Sequence, residues 1–92
     1  MGRCKKQRCC RQLGDARIFK PTGIPFMDLE VVEVAADEFE AMRICDIEKK
    51  SQIEASDMMQ ISRGTVQRLL DNGRFKVMSA LLTGKAIKIN NQ

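Results

Sequence analysis

The 92-residue chain contains no histidine, tryptophan or tyrosine and only four phenylalanines. It also lacks a glycine-rich phosphate loop and any cluster of carboxylates away from predicted helix caps, so it offers no credible acid–base or nucleophile–base pair. The sequence therefore predicts a protein that is not an enzyme and needs no cofactor. Leucine, isoleucine, valine and methionine must fill the core, and a chain of this length suits one small domain.

Long apolar runs are also missing from the sequence. No stretch approaches the roughly 18 residues that a membrane span needs, and the basic N-terminal segment lacks the apolar core of a secretion signal. We therefore expect a cytoplasmic protein with reduced thiols and no membrane partner.

The charges of the chain are segregated along its length. Residues 1–20 carry seven basic and one acidic group, residues 21–60 carry three and ten, and residues 61–92 carry six and one. Two basic ends around an acidic middle predict a polyanionic partner, with nucleic acid as the first candidate. The alternative is a protein whose uneven charge has no binding role.

Capping patterns predict the first two helices. Asp37 can cap a helix over residues 37–47, with Glu40 reaching back as in a capping box. Ser51 and Glu54 repeat this pattern and predict a second helix over residues 52–59.

A third cap at Ser62 predicts the longest helix, which ends at Gly84. At about 100° per residue, one side of this helix is apolar and forms its core face. The predicted core residues are Val66, Leu69, Leu70, Gly73, Val77, Ala80 and Leu81. Phe75, Met78 and Leu82 lie roughly opposite and are candidates for contact with the N-terminal hairpin-like segment or for a homodimer interface.

The remaining segments predict extended structure around the helices. Residues 1–15 form a flexible basic arm, residues 16–36 an extended and turn segment, residues 37–83 the helical domain and residues 84–92 a short strand or tail. Residues 85–89 alternate like an edge strand, which we expect beside residues 31–34.

Residues 51–70 have the layout of a helix-turn-helix. Ser56 provides a small residue where the helices cross, and Met59 fills the space before the turn. Ile61 holds the turn against the core. The predicted fold is mainly α, a tri-helical core of winged-helix or sigma-region-4 type with short extended or β flanks.

The outer side of the third helix carries groups that recognise DNA. Arginine binds guanine bidentately, glutamine binds adenine, and the threonine methyl group contacts thymine. The predicted base-reading residues are Arg63, Gly64, Thr65, Gln67 and Arg68. The predicted phosphate contacts are Ser62, Arg74 and Lys76, with Arg3, Lys5, Lys6, Arg8 and Arg11 of the arm.

Several segments resemble the prokaryotic domain-of-unknown-function family 134, whose helix-turn-helix is related to region 4 of sigma-70 factors. The resemblance rests on residues 1–3 (MGR), 19–25 (FKPTGIP), 37–46 (DEFEAMRICD), 51–55 (SQIEA) and 61–65 (ISRGT). It implies DNA binding and names no target sequence or activity. The chain departs from the usual pattern at Ser56 and Gly64, and at Gln60, where relatives usually have glycine in the turn. A left-handed Gln60 would cost on the order of 1 kcal/mol.

The cysteines leave a second interpretation open. Cys4, Cys9 and Cys10 lie among basic residues, which raise thiol reactivity, so a metal-responsive or thiol-responsive regulator is an alternative. A structural zinc site needs four ligands, and with no histidine we expect no metal. Cys45 is predicted to be a small core residue.

Together these patterns predict sequence-specific binding of double-stranded DNA by a transcriptional regulator. A homodimer reading two half-sites is a further expectation. The alternative from another class is a protein-interaction module, for example one that contacts RNA polymerase through the acidic middle of the chain.

Overall fold

Three helices and a small three-stranded sheet make up residues 16–90, the part of the chain that the computed structural model describes. The predicted mainly helical class with short strand flanks is confirmed. The elements are β1 (Ala16–Phe19), a 3-10 turn (Phe26–Asp28), β2 (Val31–Val34), α1 (Ala36–Met42), α2 (Gln52–Met59), α3 (Arg63–Thr83) and β3 (Ala86–Asn90). Within these residues, none of the helices has the length and apolar character to cross a membrane.

The sheet has the order β1-β3-β2, with β3 antiparallel to β1 and parallel to β2. The predicted pairing of the C-terminal strand with residues 31–34 is confirmed, but its prediction as an edge strand is wrong. Residues 16–19 add a strand on its other side, so Ile87 pairs with both Phe19 and Val32. The two ends of the chain are thereby joined beside the helices.

The start of α1 differs from the prediction. Ala35, and not Asp37, is the N-cap residue, and the Glu38 carboxylate accepts a hydrogen bond from its backbone N–H at 3.0 Å. The same carboxylate oxygen accepts one from Lys76 Nζ at 2.8 Å. Glu38 is 6% exposed. The helix begins one residue early, and its cap lies two residues early, because this position lets the buried carboxylate satisfy both donors.

The end of α1 is a wider turn than predicted. After Met42 the chain continues as a π-helical segment, Arg43–Ile47, in which the Glu48 N–H donates to the Arg43 carbonyl at 3.1 Å. Lys49 then takes a left-handed conformation with φ 64°. The wide turn keeps Ile44 in the core and leaves Ile47 on the surface. The prediction of an unbroken α-helix through residue 47 was therefore wrong.

Two apolar clusters share α3. The first joins Ala41, Ile44 and Ala55 to Val66 and Leu70, and the second joins Val34 and Ile87 to Ala80. Met42 packs against both clusters. α3 is therefore a common support for the helices and the sheet.

The predicted core face of α3 is confirmed at Val66, Leu70, Gly73 and Ala80, which are buried. A Cβ atom at Gly73 would lie 2.8 Å from the Met42 side chain, so a glycine here lets α1 and α3 approach closely. Leu81, however, is 65% exposed. It borders an open apolar cleft of about 440 Å³ between α1, α3 and the sheet.

Candidate nucleic-acid interface

A turn of three residues joins α2 to α3. Gln60 takes a left-handed conformation with φ 63° and ψ 43°, which confirms the strained position that the sequence indicated. The Ile61 N–H donates to the Ser56 carbonyl at 3.1 Å. The Ser62 hydroxyl accepts a hydrogen bond from the Thr65 N–H at 3.1 Å, so the predicted cap of α3 is confirmed.

The packing of α2 on α3 decides which side of α3 stays free. Ala55 is fully buried against Val66 and Leu70, with Met59 and Ile61 half-buried beside them. The small residue at the helix crossing is thus Ala55. The prediction of Ser56 was wrong by one position. Ser56 lies about 100° further round α2 and donates its hydroxyl to the Ile53 carbonyl at 2.7 Å.

Four of the predicted base-reading residues share the exposed side of α3, and we call them the outer face: Arg63, Gly64, Gln67 and Arg68. Successive turns bring them together, because residues three and four apart are neighbours on a helix. Nothing lies within 4 Å of the space that a Cβ atom at Gly64 would occupy. This part of α3 is therefore open to a partner.

The fifth predicted base-reading residue, Thr65, is placed differently. It is half-buried, and its hydroxyl lies 2.8 Å from the Ser62 hydroxyl. It also accepts a hydrogen bond from Arg68 at 3.3 Å. Thr65 thus supports the start of α3 and steadies the Arg68 side chain.

The four basic residues of α3 differ in their partners. Arg74 donates to Asp46 at 2.6 Å, and Lys76 donates to Glu38 at 2.8 Å. The hydrogen bond from Arg74 to Asp46 raises the pKa of the guanidinium above its usual range. Arg63 and Arg68 have no ion pair within residues 16–90. The outer face therefore carries two positive charges that no neighbouring carboxylate neutralises in this part of the chain.

The ion pairs of Arg74 and Lys76 bear on their predicted role as phosphate contacts. Each partner comes from α1 or the π-helical segment that follows it, so the pairs fasten α3 to the first helix. A phosphate would have to compete with carboxylates already in place. Neither residue belongs to the outer face.

Two lysines that the sequence reasoning passed over lie just before α2. Lys49 and Lys50 are exposed and directly precede Ser51, which caps α2. The signal was present as a lysine pair next to a capping box. In a helix-turn-helix the first helix crosses the DNA backbone, so basic residues at its start are suited to phosphates.

Several carboxylates of the predicted acidic surface are held in ion pairs within the fold. Arg43 pairs with both Glu40 and Glu48, and Asp46 and Glu38 are occupied as described above. Glu54 serves the cap of α2, where it accepts a hydrogen bond from the Ser51 N–H at 2.8 Å. Fewer acidic groups are thus left for a protein partner than the sequence suggested.

The remaining predicted sites concern the arm and the cysteines. The arm residues Arg3, Lys5, Lys6, Arg8 and Arg11 and the candidate metal ligands Cys4, Cys9 and Cys10 lie outside the described residues. Within residues 16–90 there is no group of three or more histidine, cysteine or acidic side chains that could hold a metal. Cys45 packs against the first apolar cluster, and burial raises the pKa of its thiol.

A family model with the description "Protein of unknown function DUF134" matches residues 1–91. A UPF0251 protein of Shewanella baltica is 45% identical over 83 residues, which cover 87% of this chain and 85% of that protein. A UPF0251 protein of Desulforudis audaxviator is 44% identical over 97% of this chain, and one of Methanocella arvoryzae is 43% identical over 94%. The chain spans 58% and 52% of those two proteins, so they are considerably longer. No solved structure matches the chain significantly.

Proposed function

The chain belongs to the family described as "Protein of unknown function DUF134", as its sequence predicted, and since that description states no activity we propose one from the geometry of the helices. We propose that the protein binds double-stranded DNA with sequence preference, by placing the start of α3 in the major groove. Its role is that of a transcriptional regulator, and the proposal assigns it no reaction.

The observation that carries this proposal is the contrast between the two halves of α3. Arg63 and Arg68, in its first turns, are exposed and have no ion pair within the described residues, whereas Arg74 and Lys76 are held by carboxylates. Unneutralised cations on an exposed helix start favour a polyanion. The helix N-terminus adds partial positive charge and free N–H groups at the same place.

The outer face offers a specific role for each residue. Arg63 and Arg68 can each bind the O6 and N7 atoms of a guanine, and Gln67 can bind the N6 and N7 atoms of an adenine. Gly64 lets the helix backbone come close to the base edges. The hydrogen bond from Arg68 to Thr65 limits the orientations of the guanidinium before DNA arrives.

Phosphate contacts are assigned to Ser62, Lys49 and Lys50. Ser62 lies at the free end of α3, and the two lysines precede α2, the helix that crosses the backbone in a helix-turn-helix. Arg74 and Lys76, which the sequence suggested, are left as structural residues because their carboxylate partners already hold them.

The basic arm is assigned to DNA as well, on account of where it joins the fold. Ala16 pairs with Asn90, and Asn90 borders the same surface cleft as Met58 and Met59, the last two residues of α2. The chain that precedes Ala16 therefore joins the fold close to the turn of the helix-turn-helix. A basic segment attached there can reach the DNA that α3 contacts.

The experiment is selection from a random-sequence duplex library over a salt series, using the parent and an Arg63→Ala/Arg68→Ala variant. The parent should enrich one motif, and the removal of each arginine should weaken binding to that motif by about 1–3 kcal/mol. A Lys20→Ala/Lys88→Ala variant removes the same charge from β3 and from the residue that follows β1, and it should select the parental motif.

Two results would contradict the proposal. One is an absence of binding by a folded parent, and the other is unselective binding that both variants weaken equally. Either result would favour the protein-interaction alternative, which needs the acidic surface and not the two arginines.

A further inference from the structure

The C-terminal half of α3 exposes an apolar stripe made of Phe75, Met78 and Leu82. These side chains are 72%, 63% and 82% exposed. Their spacing of three and four residues puts them in one line, on the side of the helix away from both apolar clusters. With Leu81 beside them they expose roughly 500 Å² of apolar surface, as much as the largest patch on a typical monomer.

The two ends of the apolar stripe differ in charge. Asp71 lies one turn before Phe75 on the same line, and it has no ion pair within residues 16–90. Lys85 follows the other end of α3, where its ammonium group lies 3.0 Å from the exposed Glu30. The stripe therefore has an acidic group without an ion pair at its start and an exposed Lys85–Glu30 ion pair just past its end.

We propose that the apolar stripe pairs with the same stripe of a second copy of this chain, with the two α3 helices antiparallel. When Phe75 lies opposite Leu82 of the second copy, Met78 meets Met78 at the centre. Asp71 then falls opposite the exposed Lys85–Glu30 pair at both ends, where Lys85 exchanges Glu30 for Asp71. A parallel pair would instead place the two Asp71 carboxylates together, which costs free energy. The apolar spacing and the charges at its ends thus select the same arrangement.

The apolar stripe and the outer face lie on one side of α3. Gly64, Arg68 and Asp71 continue the line of Phe75, Met78 and Leu82 at alternating spacings of four and three residues. A second copy on the stripe therefore approaches from the side on which DNA must approach, and the two outer faces of the pair point in opposite directions. Self-association thus competes with DNA binding and does not place two outer faces on one straight duplex. This step rests on the proposed function.

The test begins with sedimentation equilibrium of the full chain over a concentration series without DNA. The parent should form dimers, and Met78→Lys, which places two charges together at the centre, should weaken self-association by at least ~10-fold. Asp71→Lys should weaken it by about 3–10-fold. Adding Lys85→Glu and Glu30→Lys, which reverses the Lys85–Glu30 pair without placing two carboxylates together, should recover most of that loss. A Gln67→Lys variant, outside the stripe, should dimerise like the parent.

Two results at this stage overturn the antiparallel pair. They are a parent that stays monomeric at all concentrations, and a dimer that Met78→Lys leaves intact. Neither result bears on the proposed function, because no DNA is present.

The second stage adds a random-sequence duplex at low salt. The duplex should convert parental dimers to monomers bound to DNA. Met78→Glu, which also places two like charges at the centre of the pair but adds no positive charge, should bind more tightly than the parent at protein concentrations where the parent dimerises. If intact dimers bind the duplex with undiminished affinity, self-association does not compete with DNA binding and that step is wrong. A stripe-dependent dimer that binds no DNA overturns the proposed function and the competition together, while the antiparallel pair stands.

Discussion

The backbone strain of the turn between α2 and α3 is concentrated at a single residue, Gln60. Its φ of 63° and ψ of 43° lie in the left-handed region, which only glycine enters without a penalty from Cβ. The chain reverses here so that Ile61 reaches the core and Ser62 reaches the cap position. The strain is local, and the packing on either side of the turn holds it in place.

Replacing Gln60 with glycine should stabilise the protein. Relief of the left-handed conformation outweighs the extra conformational freedom that glycine gives the unfolded chain. We therefore expect the free energy of unfolding to rise by about 0.5–1 kcal/mol, which raises Tm by a few degrees. Thermal unfolding followed by circular dichroism measures this. Gln67→Gly, the same exchange within regular helix, should lower Tm by a similar amount. A fall in Tm for Gln60→Gly would show that the Gln60 side chain itself stabilises the turn.

The arginines of α3 mark the limit of prediction from sequence at this scale. Arg63, Arg68 and Arg74 look alike in the sequence, and all three were predicted to meet DNA. Only the fold shows that Asp46, 28 residues away, pairs with Arg74. The outer face was predictable because helix periodicity is local. The ion pairs that remove Arg74 and Lys76 from the predicted phosphate contacts depend on residues distant in the sequence.

The starts of α2 and α3 are set by hydrogen bonds that the sequence displays. At α2 the Glu54 N–H donates to the Ser51 hydroxyl at 3.0 Å, and the Glu54 carboxylate accepts from the Ser51 N–H at 2.8 Å. This bond to the backbone holds the pKa of Glu54 below its usual value. Because the folded state favours the ionised carboxylate, the cap stabilises α2 above the unfolded pKa, near 4.3, and the effect is lost as pH falls through the folded pKa.

A Glu54→Gln variant should show this pH dependence. Its Tm should lie below that of the parent at neutral pH, and the difference should shrink as pH falls below about 4, where the parental carboxylate becomes protonated. Thermal melts of both proteins from pH 7 to pH 3 measure the difference. An Asp57→Asn variant on the same helix, which removes no cap, should show a smaller dependence. A Glu54→Gln deficit that stays constant down to pH 3 would contradict the role of the charge.

The elements that sequence reasoning misplaced are those fixed by tertiary contacts. α1 begins at Ala36 because buried Glu38 must satisfy both Ala35 and Lys76, and Lys76 lies 38 residues away. β3 is central because β1, from the other end of the chain, pairs with it. Caps and periodicity are short-range signals, so they located α2 and α3 but could not reveal these pairings.

At the scale of the whole molecule, the fold brings together the two ends of the part of the chain that the structure describes. β1 and β3 pair over residues 16–19 and 87–90, next to the cleft that Met58 and Met59 border. The basic arm therefore joins the fold beside Asn90, which borders the same cleft as the last two residues of α2. The arm and the outer face are both suited to the same polyanion.

Deleting residues 2–11, which carry five basic groups, should weaken DNA binding and flatten its dependence on salt. For every phosphate that the arm no longer neutralises, the slope of log K against log salt should fall by about 0.9. Fluorescence anisotropy with a labelled duplex across a salt series measures the slope. A variant with glutamine at the five basic positions keeps the length of the arm and should behave like the deletion. An unchanged slope in both would exclude the arm from the interface.

The most direct test of the central claim is an NMR titration of the ¹⁵N-labelled protein with the duplex that the selection yields. If the start of α3 binds DNA, the largest amide shift changes will occur at residues 62–68, smaller ones at residues 49–51, and little change along β3. Changes centred on the acidic surface of α1 or along residues 75–82, with residues 62–68 unaffected, would contradict the claim that the start of α3 binds DNA.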